Sequence, residues 1–104
     1  MVIWGWSPEL YVETGLVHAT SESTPAYQVY PNQQQAYFVQ RWASELRRSD
    51  TRVFVDSQIP GNLSYEFLGE RGQRYDEFPE IAKLVEQDFV KVSEVAGVAI
   101  YVRR

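Results

Sequence analysis

Asp56 closes the run Val53-Phe54-Val55. The carboxyl end of a core strand is where α/β folds place groups that act on a ligand. The plainer role for an aspartate there is to cap the turn that follows. Further along, Glu66, Glu70, Asp76 and Glu77 crowd one segment, with Arg71 and Arg74 among them. Two carboxylates converging on a cleft could hydrolyse a glycosidic bond. The interspersed arginines read instead as a solvated surface of mixed charge. Those guanidiniums could hold a lipid phosphate or an acidic acceptor through charge-assisted hydrogen bonds. Asp56, Arg71, Arg74 and Tyr75 are therefore the candidate contact residues.

Other chemistries find no complete set of residues. His18 is the single histidine, and no Gly-x-Ser-x-Gly elbow presents a serine to it. One histidine and no cysteine leave no zinc set and no thiol nucleophile. Gly69-Glu70-Arg71-Gly72 neither follows a strand nor opens a helix with Lys-Ser/Thr, as a phosphate loop would. Gly5 follows a strand but stands alone. Asn62-Leu63-Ser64 is formally a glycosylation sequon, a pattern frequent by chance. Trp4, Trp6, Tyr11, Tyr27 and Tyr30 crowd the first third of the chain. They suit a core, and an exposed subset could stack on a sugar, a lipid headgroup or a neighbouring domain. No catalytic, metal-binding or cofactor-binding residue is assigned.

The elements that must position these residues follow from periodicity. Val2-Ile3-Trp4-Gly5-Trp6 reads as a buried strand. Ser7-Pro8-Glu9 opens a short helix that Gly15 ends. Residues 16–20 read as a weaker second strand, and 21–32 as a loop that Tyr27, Val29 and Tyr30 could pin down. Ala36, Val39, Ala43 and Leu46 repeat at helical spacing, with Trp42 broadening the stripe and Asn32 as N-cap, so 33–48 is a helix. Residues 51–56 form a strand. The glycine-containing stretch from 57 to 77 reads as a long loop. Its 60–75 portion is expected to be the most mobile part of the chain, folded back in part on the sheet, with an exposed tip at 69–74. Phe78-Pro79-Glu80 opens a third helix, and Ala96-Gly97 turns a closing hairpin. The order β-α-β-α-β-α-β-β predicts an α/β fold: a small Rossmann-like three-layer domain with a mainly parallel sheet and a C-terminal antiparallel hairpin.

Composition bounds the class. The chain has 104 residues, 44% of them hydrophobic, enough for one domain with a real core and too few for two. A net charge of −4 without a basic face argues against nucleic acid as a partner. No apolar run approaches the ~20 residues of a membrane span. Met1 precedes core-like residues directly, with no basic leader, which leads us to expect one soluble domain, 1–104, cut from something longer.

Several segments carry a resemblance. Val2-Ile3-Trp4-Gly5-Trp6-Ser7-Pro8-Glu9-Leu10-Tyr11-Val12-Glu13-Thr14-Gly15 resembles the stretch that follows the last membrane helices in many bacterial glycosyltransferase-like membrane proteins. These are relatives of the dolichyl-phosphate-mannose protein mannosyltransferases, of the family 39 type. The run from Trp42 to Asp56 is similar to the same proteins, as are Phe78-Pro79-Glu80-Ile81, Phe89-Val90-Lys91-Val92 and Ile100-Tyr101-Val102-Arg103-Arg104. Phe89 stands where tyrosine is common, no proline precedes Thr51, and residues 61–75 are this chain's own.

The resemblance implies the C-terminal domain of a polyprenyl-phosphate-sugar-dependent enzyme, on the periplasmic or extracytoplasmic face of the plasma membrane. The family's catalytic acids lie in an early loop that this sequence does not contain, so none carries over. The implied role is accessory: acceptor recognition, a lid, or packing support. The implied partners are the transmembrane part of its own parent protein and a polyprenyl-phosphate sugar or acceptor. The other readings are a free-standing α/β ligand-binding or interaction module, and an autonomous hydrolase using the loop carboxylates.

Overall fold

The computed structural model describes residues 1–5, 9–16, 30, 32–60, 65–67 and 70–104, with the side chains of 66, 67 and 70 left aside. The chain order is β1 (Val2–Trp4), α1 (Glu9–Thr14), α2 (Gln35–Arg48), β2 (Val53–Asp56), β3 (Glu66–Phe67), β4 (Glu70–Arg71), a 3-10 turn (Tyr75–Glu77), α3 (Pro79–Asp88), β5 (Phe89–Val95) and β6 (Val98–Arg103).

Local chemistry explains several boundaries. Gly15 ends α1 at φ +70°, and its N–H donates to the Tyr11 carbonyl at 3.0 Å. Asn32 Oδ1 accepts the Gln34 N–H at 2.9 Å just ahead of α2. Pro79 occupies the start of α3, where a missing N–H costs nothing. The closing hairpin turns at Ala96 (φ 51°) and Gly97 (φ 85°), both left-handed as a tight two-residue turn requires.

The mainly parallel, Rossmann-like three-layer expectation is wrong. The main sheet has four strands in the order β1-β2-β6-β5, and only β1 and β2 run parallel. β6 lies antiparallel to β2, with Phe54 opposite Tyr101, and β5 lies antiparallel to β6. Alternation along the chain misleads here because α3 delivers β5 to the sheet edge without a loop. The tight hairpin then returns β6 into the gap beside β2, and a two-residue turn can only join antiparallel strands. The expected strand at 16–20 lies outside the described residues, apart from Leu16, which is exposed and not in a strand. His18, Ser7, Pro8, Tyr27 and Val29 also lie outside them.

One sheet face carries the main core. Val2, Trp4, Phe54 and Phe89 pack against Val39, Trp42, Ala43 and Leu46 of α2 and Ile81, Leu84 and Val85 of α3. Half-buried Tyr30 packs against the same cluster. Ala36, placed on the inner stripe by spacing, is exposed instead. The other face is thinner: Met1, Ile3 and Val55 pack with Leu10 and Tyr11 of α1. Arg103 ties the elements together. Its guanidinium donates to the carbonyls of Thr51 at 2.7 Å and Leu46 at 3.2 Å, and lies 3.5 Å from the Asp88 carboxylate.

Candidate functional site

The site is assembled at the carboxyl end of β2. Asp56 is only 5% exposed, and its Oδ1 accepts the Gln58 N–H at 3.1 Å, so it caps the turn after the strand. Its other oxygen, Oδ2, lies 3.6 Å from Arg74 Nη2. Arg74 Nε lies 3.5 Å from Asp76 Oδ1. Tyr75 follows, with its hydroxyl 3.0 Å from that of Tyr101 on β6. The structure therefore brings together Asp56, Arg74 and Tyr75. Arg71 stands apart on β4, where its guanidinium sits over the Tyr65 ring.

The segment that carries Arg74 is anchored. The Gln73 carbonyl accepts from Trp4 Nε1 at 2.9 Å and from Gln58 Nε2 at 3.4 Å, and the Gln73 side chain bonds to Gln35. Gly72 is buried, and its N–H donates to the Tyr65 carbonyl at 2.7 Å. Arg74 and Glu77 bond reciprocally, the Glu77 carboxylate accepting the Arg74 N–H while the Glu77 N–H donates to the Arg74 carbonyl. The expected exposed tip at 69–74 is thus corrected for 72 and 73, because Gly72 is buried and bonds from Trp4 and Gln58 draw Gln73 onto the body, while Arg71 is exposed and the Arg74 side chain is 40% exposed. Gly69 and residues 61–64, including the sequon, lie outside the described residues. Gly5, beside the end of β1, is closely approached by Ser57 and the Gln58 backbone.

Beside the ion pair a groove of about 360 Å³ runs between α3 and the hairpin. Tyr75, Tyr101 and Phe89 give it aromatic walls, and Lys91, Arg104 and Glu86 add charge. Sequence reasoning missed Tyr101, Lys91 and Gln73. The alternation of β6 puts Tyr101 on the same face as Ala99 and opposite Ile100 and Val102, but only the β2–β6 register brings it to Phe54 and Tyr75.

The chain matches no known family, no curated protein and no solved structure.

Chemically, the pieces suit recognition better than bond cleavage. Burial pushes the Asp56 carboxyl above its ordinary value, opposed by the Gln58 N–H and by Arg74. A raised carboxyl is one mark of a general acid. Here the group is sealed from solvent, spent on a turn and covered by Arg74, so it positions the arginine. The Arg74 side chain is 40% exposed, and its contacts to Asp56 and Asp76 are longer than good hydrogen bonds. Its fork therefore has donors left for a phosphate or carboxylate.

The raised Asp56 value makes a prediction. The folded state binds this proton more tightly than the unfolded chain. Stability should therefore fall as pH rises from the ordinary carboxylate range through the raised value. Asp56→Asn keeps an acceptor for Gln58, should flatten that slope, and should leave the protein at least as stable at neutral pH. Denaturant titrations across acidic to neutral pH read it. A variant weaker than wild type only at neutral pH would show that attraction to Arg74 outweighs burial.

Proposed function

We propose that this chain is a non-catalytic accessory domain of a polyprenyl-phosphate-sugar-dependent membrane glycosyltransferase, and that it contacts the lipid phosphate or an acidic acceptor through Arg74. The observation that supports this most is the half-exposed Arg74 guanidinium, held between Asp56 and Asp76 on an anchored segment. A cation fixed in place before binding loses less side-chain freedom when an anion arrives. The location this implies is the extracytoplasmic side of the membrane, beside the transmembrane part of the same protein. Among the described residues, no helix is long and apolar enough to cross a membrane.

A second reading, a free-standing ligand-binding module, is favoured by the aromatic groove beside Arg74. The gene separates the two: several apolar spans encoded upstream of Val2 support the first, and none supports the second.

The experiment for the non-catalytic half is a transfer assay. Purified chain, incubated with a polyprenyl-phosphate sugar and acceptor peptides, is expected to give no transfer and no release of free sugar. Reproducible turnover that survives repurification would overturn it.

A further inference from the structure

β5 is one of the two edge strands of the main sheet, at the opposite end from β1. Phe89 is buried, and the six residues after it are exposed. Val90, Val92 and Val95 are 38%, 55% and 62% exposed. Among the described residues no strand pairs with this edge. Proteins usually blunt such an edge with lysine or a bulge, because an open row of backbone groups recruits another strand. β5 has both features, and their arrangement is self-complementary.

Lys91 is opposite Tyr101 and Ser93 is opposite Ile100, so Val92 is an extra residue in the ladder. In a regular strand, positions 91 and 94 would point to opposite faces. The bulge turns them to one face, where Lys91 Nζ lies 2.8 Å from Glu94 Oε1. We propose that β5 pairs antiparallel with β5 of a second copy of this chain, about a two-fold axis perpendicular to the sheet at Val92-Ser93.

That register sets Lys91 of each copy opposite Glu94 of the other, and Val90 opposite Val95. Such an axis keeps every residue on its own sheet face. The charge pairing therefore needs Lys91 and Glu94 to share a face, which the bulge provides. The contact is isologous, the common closed arrangement for dimers. It joins two four-stranded sheets into one. Each exposed valine at 90 and 95 gains an apolar neighbour across the junction, the kind of cross-strand pair that stabilises sheets. A strand of unrelated sequence would match neither the charges nor the valines, so a second copy is the occupant.

The test is sedimentation velocity over a concentration series, on wild type, Lys91→Glu, Glu94→Lys and an equimolar mixture of the two variants. Circular dichroism checks that each variant is folded. Wild type should associate reversibly to a dimer. Each variant alone places like charges across the axis and should dimerise at least about tenfold more weakly. Mixed, one variant presents two acids and the other two lysines at these positions, so the mixture should recover the dimer. The intrachain ion pair is broken in both variants, so recovery on mixing reports the contact between copies alone. A wild type that stays monomeric throughout, variants that associate as well as wild type, or a mixture that stays monomeric would each overturn the proposal.

Discussion

Phe54→Ala is expected to cost about 3–5 kcal/mol, and Trp42→Ala a similar amount. Phe54 is fully buried, and among the described residues its ring meets four others: Tyr75 at 5.2 Å, Tyr101 at 5.5 Å, Phe89 at 6.1 Å and Trp42 at 6.2 Å between centroids. Trp42 meets the edge of Trp4 at 5.0 Å. Neither cavity can collapse easily, because two helices and a sheet converge on it. A domain of this length has on the order of 5–10 kcal/mol in total, so either change threatens folding. Trp42→Phe should be much milder, because Trp42 Nε1 is buried with no partner among the described residues. Urea titrations with a common slope read all three. A loss below about 1 kcal/mol for Phe54→Ala would mean that the aromatic cluster does not carry the core.

The second large effect belongs to Gly5. Its φ of +119° is one that residues with a Cβ rarely adopt. A Cβ built there would lie 2.5 Å from Ser57 Oγ and 3.1 Å from the Gln58 nitrogen. The serine hydroxyl could rotate away, but the backbone of Gln58 cannot, since its N–H is held by Asp56. Strained backbone alone costs about 1–3 kcal/mol, and the clash adds to it. Gly5→Ala should therefore cost as much as a core truncation while removing no contact. It should also loosen Arg74, because Gln58 holds the Gln73 carbonyl. A variant within about 0.5 kcal/mol of wild type would mean that the Gly5–Ser57 approach is looser than described.

Periodicity made α2, β2, α3 and the closing hairpin legible, since each carries strong apolar spacing or a defined turn. Sheet order was not, because alternating strands and helices constrain pairing only where each crossover spans the sheet. Nothing in Phe89–Val95 or Val98–Arg103 announces which strand lies beside β2. Half of the site was readable. Asp56 stood out at a strand end, and Arg74 and Tyr75 by charge and neighbourhood. Arg71 looked equivalent to Arg74 in the sequence. Tertiary hydrogen bonds from Trp4 and Gln58 to Gln73 separate them, and no local pattern encodes such bonds. The same bonds anchor Gln73, next to Gly72, the one glycine of that stretch among the described residues.

The contact role of Arg74 is tested most directly by amide chemical shifts of the isotope-labelled chain, titrated with a water-soluble short-chain polyprenyl phosphate. Saturable shifts are expected at Arg74, Tyr75, Lys91 and Tyr101, stronger than with inorganic phosphate. They should vanish in Arg74→Gln, a variant whose unfolding midpoint confirms that it is folded. Shifts that persist in Arg74→Gln, that centre on the β3–β4 ribbon, or that never appear would contradict the account.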